Sequence, residues 1–140
     1  MNSRKFFYDF GRSLYNVDSF YDEFAKKSNV SSALLWVLYA LNDGKSHTQV
    51  DIASEWKLPK TTVNTVIKDI QKDGYVELVP IKGKRREMSI VLTPAGKEYA
   101  DTLLADIYKK EAAVFKALSA DEREVAAILK KIANSLKGDD

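Results

Sequence analysis

KTTVNTVIKDIQK, residues Lys60 to Lys72, is the stretch on which the fold turns. At about 100° per residue, Val63, Val66, Ile67 and Ile70 fall within one narrow arc of a helix. Thr61, Asn64, Thr65, Lys68 and Lys72 fall on the other side, and Asp69 and Asp73 point to its flank. The spacing predicts a helix buried on one face. Its opposite face is polar, lightly cationic and free of acids. Hydroxyl, amide and ammonium groups on such a surface can bond base edges and phosphates.

Working outward, Thr48-x-x-Asp51 is a helix start, a capping box with Asp in place of Glu. The short helix it opens holds Val50, Ile52, Ala53 and Trp56. Lys57-Leu58-Pro59 breaks it, and Pro59 suits the first turn of the next helix, where its missing N–H costs nothing. Two short helices joined by a tight turn make a helix-turn-helix. Asp73-Gly74 ends the second, and the apolar period then shifts to two. Val76 and Leu78, then Met88, Ile90 and Leu92, alternate with their neighbours around Lys82-Gly83-Lys84-Arg85-Arg86. This is a hairpin with a basic turn. Pro80 cannot donate to a ladder, which puts its strand at an edge or a bulge.

The flanks are helical. Phe7, Phe10, Leu14, Val17, Tyr21 and Phe24 step by three and four along a helix over residues 4–27. Phe6, Tyr8, Tyr15 and Phe20 widen that surface beyond what a lone helix can bury, so other helices or a second chain must cover it. Ser31 or Ser32 caps a helix with Leu34, Leu35, Val37, Leu38 and Leu41, ended by Asn42-Asp43-Gly44. Thr93-Pro94 opens a long helix, with Thr as cap and Pro in the first turn. Ser119-x-x-Glu122 is a capping box for a last helix striped by Val125, Ile128, Leu129, Ile132 and Leu136. The fold class is mostly α with a small β-hairpin.

Composition narrows the function. The 140 residues carry 22 Lys and Arg against 20 Asp and Glu, a net +2. Eight of those cations but only three acids lie between Lys57 and Arg86, so this segment is +5 and the remainder −3. Positive charge focused on one module suits phosphate binding. There is no cysteine, which excludes disulfides, thiolate nucleophiles and Cys-rich zinc sites. The single histidine, His47, leaves multi-His metal sites and most Ser-His catalysis without material and reads as a loop residue near a helix start. No nucleophile elbow, P-loop or dinucleotide fingerprint is present, so neither an enzyme nor a cofactor is expected. The longest apolar run, Ala33 to Leu41, is too short to span a bilayer. No secretion signal opens the chain, so a cytoplasmic location without membrane contact is the expectation.

The runs Thr48-Gln49-Val50-Asp51-Ile52-Ala53, Leu58-Pro59-Lys60-Thr61-Thr62-Val63 and Asp73-Gly74-Tyr75-Val76 resemble the multiple antibiotic resistance regulator (MarR) family. Arg86, Ile90 and Leu92-Thr93-Pro94-Ala95-Gly96 continue the likeness, and the outer helices fit by pattern. The resemblance implies a winged helix-turn-helix with N- and C-terminal dimerisation helices. Residues 31–96 would form the DNA-binding module, and 1–30 and 97–140 the dimerisation helices. It implies a homodimer on a pseudo-palindromic operator in double-stranded DNA, most simply a repressor. Gln49, Lys60, Thr61, Thr62, Asn64, Thr65, Lys68, Lys84, Arg85 and Arg86 would be the DNA-binding residues. Arg86 matches the wing arginine that enters the minor groove. Where the family commonly has Asp two residues before it, this chain has Lys84.

Members of that family are often released by small aromatic effectors. Phe10, Tyr15, Trp36 and Tyr39 are the residues that would line such a site, although core or dimer packing also accounts for them. A winged-helix module that binds protein instead of DNA is the alternative. It would show no duplex affinity even at low salt.

Overall fold

A computed structural model describes residues 1–138. Six helices and one hairpin follow in the order α1 (Ser3–Lys27), α2 (Ser32–Leu41), α3 (Gln49–Trp56), α4 (Lys60–Lys72), β1 (Val76–Pro80), β2 (Met88–Leu92), α5 (Pro94–Ala117) and α6 (Val125–Lys137). The described residues group into two compact units, residues 1–104 and 105–138.

In the first unit each helix start has a local cause. Ser31, not Ser32, caps α2, its hydroxyl accepting from the Leu34 amide at 3.0 Å. Thr48 caps α3 in the same way through the Asp51 amide at 3.1 Å. Lys57 ends α3 in the left-handed region, φ 52°, and its turn leads straight into α4. Pro59 stands at the N-cap of α4, one position before the first turn expected for it, and gives no side-chain cap. Its ring cannot supply an acceptor, while its fixed φ still sets the entry.

The core of this unit is built from Leu35, Leu38, Leu41, Ile52, Val63, Ile67, Ile90 and Leu104, all at most 2% exposed. The four apolar residues read on α4 are its buried ones, which seats that helix on α2 and α3. The hairpin pairs Val76 with Leu92, Leu78 with Ile90 and Pro80 with Met88. Pro80 therefore closes an edge strand. Beyond β2, His47 forms an antiparallel bridge with Ile90, its amide donating at 3.2 Å and its carbonyl accepting at 2.6 Å. This isolated bridge holds Ile90 on the side away from Leu78, so Ile90 is held from both sides.

Side-chain bonds lock the base of the hairpin. The His47 ring Nε2 meets Asp43 Oδ1 at 2.8 Å. Burial acts to raise the Asp43 pKa, but the His47 hydrogen bond and the Lys45 amide outweigh it and hold the carboxyl below its usual value. Thr93 donates its hydroxyl to the Gly74 carbonyl at 2.7 Å and accepts from the Gly96 amide at 3.0 Å. Tyr75 stacks on Tyr99 with ring centroids 4.5 Å apart.

The second unit holds the end of α5, a single 3-10 turn at Glu122–Glu124, and α6. The capping box closes reciprocally: the Ser119 amide donates to Glu122 at 2.8 Å, and the Glu122 amide to the Ser119 hydroxyl at 3.2 Å. The Arg123 guanidinium donates twice to the Phe115 carbonyl and lies 3.9 Å above the Phe115 ring. Val125, Ile128 and Leu136 are at least half exposed along α6.

Candidate nucleic-acid interface

The outward face of α4 is open. Lys60, Thr61, Thr65 and Lys68 are exposed, and Thr62 and Asn64 are half-buried at its margins. The Thr65 hydroxyl donates to the Thr61 carbonyl at 3.0 Å, so it turns acceptor lone pairs outward. α4 owes this posture to its apolar arc, whose burial fixes the roll of the helix about its axis.

Three elements converge beside that face. Gln49 at the start of α3, Asn64 on α4 and Arg86 at the foot of β2 line one groove, together with Val50, Leu78, Glu87, Met88 and Ile90. Sequence-distant amide and guanidinium groups are thereby presented on a common surface. The hairpin turn runs from Ile81 to Glu87. It is closed by the Lys84 amide on the Ile81 carbonyl at 3.0 Å, with Gly83 at φ 83° supplying the bend. Lys82, Arg85 and Arg86 are exposed and, among the described residues, face no acid within ion-pair distance. Lys84 is different: its ammonium lies 3.0 Å from the Glu87 carboxylate. Glu87 escaped the sequence reading because a pair three residues apart in a loop leaves no periodic mark.

Residues 27–87 match the sequence model of the MarR family. The chain is similar over 99% of its length to NMB1585, a MarR family regulator from Neisseria meningitidis, at 27% identity, 96% coverage of that chain and a TM-score of 0.81. The winged helix-turn-helix of this chain is similar to that of the MarR family. Its fold is shared with a MarR family transcriptional regulator from Listeria monocytogenes complexed with 26mer DNA (19% identity, 95% and 89% coverage, TM-score 0.71). It is shared also with Staphylococcus aureus MarR in complex with salicylate and kanamycin (19% identity, 99% and 94% coverage, TM-score 0.71). No curated protein sequence matches.

In this MarR-type fold the four aromatics considered for an effector separate. Trp36 and Tyr39 meet at 5.5 Å, and both contact Trp56, at 5.3 and 5.6 Å. Tyr21 joins them from α1, 4.9 Å from Trp36. Phe10 belongs to a different cluster with Phe6 and Phe7. Tyr15 is 79% exposed. The sequence reading missed Tyr21 and Trp56 as neighbours of Trp36, because three separate helices bring them together.

Proposed function

We propose that this protein is a sequence-specific double-stranded DNA-binding transcriptional regulator, a cytoplasmic homodimeric repressor released by a small aromatic effector, and not an enzyme. The observation that carries the reading is the groove shared by Gln49, Asn64 and Arg86 beside the open polar face of α4. Helix-turn-helix proteins place such a face in the major groove and use flanking groups to fix register on the backbone. Here Thr61, Thr62, Asn64, Thr65, Lys60 and Lys68 would read or line the major groove, Gln49 would hold the backbone, and Arg85 and Arg86 would reach from the wing. The Listeria relative bound to DNA supports the partner class, and the salicylate complex supports an aromatic effector. Phe6, Phe7, Leu14 and Val17 on α1 are 42–61% exposed, which supports burial against a second copy.

Selection of bound sequences from a random duplex pool tests the proposal. The expected product is an inverted repeat whose half-sites are centred about 10 base pairs apart. Recovery of no enriched sequence would refute sequence-specific regulation.

A further inference from the structure

We infer, resting on the DNA-binding reading above, that Glu87 is a positioning residue that withholds Lys84 from the phosphate backbone and so sets the effective charge of the wing. The hairpin turn carries four cations, Lys82, Lys84, Arg85 and Arg86, and by sequence all four would count toward phosphate binding. The geometry separates them. Lys84 Nζ is 3.0 Å from Glu87 Oε2. The turn bond from the Lys84 amide to Ile81 and the left-handed Gly83 bring positions 84 and 87 to the same side of the loop. Glu87 is the more enclosed partner, its side chain 34% exposed against 61% for Lys84, and it lines the groove that holds Asn64, Gln49 and Arg86.

An isolated surface pair is weak. Its consequence for DNA binding is larger than its strength. Attraction to duplex DNA comes from counterions released when cations meet phosphates, each contact adding about 0.9 to the slope of log affinity against log salt. Arg85 gains a partner on meeting a phosphate. Lys84 gains none, because it must give up Glu87 and leave a bare carboxylate beside a polyanion. The pair therefore enters the interface as a neutral unit.

The test is the salt slope, measured on one fixed duplex between about 50 and 200 mM salt. It is read for the wild type, Glu87→Gln and the double variant Lys84→Ala with Glu87→Gln. Glu87→Gln frees Lys84 and is expected to steepen the slope by about one unit. It should also tighten binding several-fold at the low-salt end. The double variant has neither charge and is expected to return to the wild-type slope. An unchanged slope in Glu87→Gln, or a double variant flatter than wild type by about one unit, overturns the inference. A slope does not depend on the fraction of active protein, so partial unfolding of a variant cannot imitate either result. Wild-type protein that binds no duplex at low salt overturns the DNA-binding reading as well. Duplex binding with slopes indifferent to Glu87 overturns this inference alone.

Discussion

The Tyr75 carbonyl occupies the space in which a side chain on Gly96 would have to begin. The contact is backbone against backbone. Tyr75 is held further by its stack on Tyr99 and by the Thr93 amide, which donates to the same carbonyl at 3.0 Å. Gly96 lies in the first turns of α5, where alanine would ordinarily favour the helix by about 1 kcal/mol. Here the collision outweighs that gain. Gly96→Ala is expected to lose a net 1–3 kcal/mol, roughly the cost of overpacking, and urea denaturation reads it. A variant as stable as wild type would show that the close approach is not a constraint.

Asp101 supplies a pH prediction. Its carboxylate accepts from the Asn42 amide at 3.0 Å and the Lys97 ammonium at 2.9 Å, and Lys97 also donates to Asn42 at 3.0 Å. The Asn42 bond first, then Lys97, lowers its pKa below the ordinary value of 3.8. A folded pKa below the unfolded one means stabilisation that is complete above the unfolded value and lost as pH falls through the folded one. The gap in thermal midpoint between wild type and Asp101→Asn should stay constant above about pH 5 and close below about pH 3. A gap that widens in acid would contradict the assignment.

Arg85 is exposed at the wing and has no acid within ion-pair distance among the described residues. Arg85→Ala should flatten the salt slope of duplex binding by about one unit and weaken operator and random duplex alike. Fluorescence anisotropy across a salt series measures both. Loss confined to the operator would mean that Arg85 reads bases.

Assembly is tested on α1. Phe7 and Leu14 are each 43% exposed and lie on one stripe of the helix. An apolar side chain buried at a dimer contact contributes about 1.5–3 kcal/mol, and a two-fold interface uses it twice. Phe7→Glu with Leu14→Glu should leave a folded monomer where wild type sediments as a dimer at micromolar concentration. A wild type that sediments as a monomer would remove the homodimer from the proposed function.

Much of the winged helix-turn-helix was legible because burial imposes a period. The apolar arc of α4 and the alternation that buries Val76 and Ile90 were readable in one dimension, although Met88 on the same alternation is exposed, and Ser119-x-x-Glu122 and Thr93 carried their caps in local spacing. What escaped depends on approach between distant segments. His47 joins the sheet through its backbone alone, which no side-chain pattern records. The Lys84–Glu87 pair depends on the bend at Gly83. The cluster of Tyr21, Trp36, Tyr39 and Trp56 needs three helices to be packed before it exists. Pro59 fell one position early because φ alone cannot distinguish a cap from a first turn.

The two bonds of the Thr93 hydroxyl have a mechanical consequence. One oxygen clamps the exit of α4 at Gly74 to the entry of α5 at Gly96. The end of α4 and the start of α5 are thereby joined through a single side-chain oxygen. A methyl group in place of that hydroxyl would remove both bonds at once and leave the Thr93 amide on the Tyr75 carbonyl as a remaining tie between the two segments.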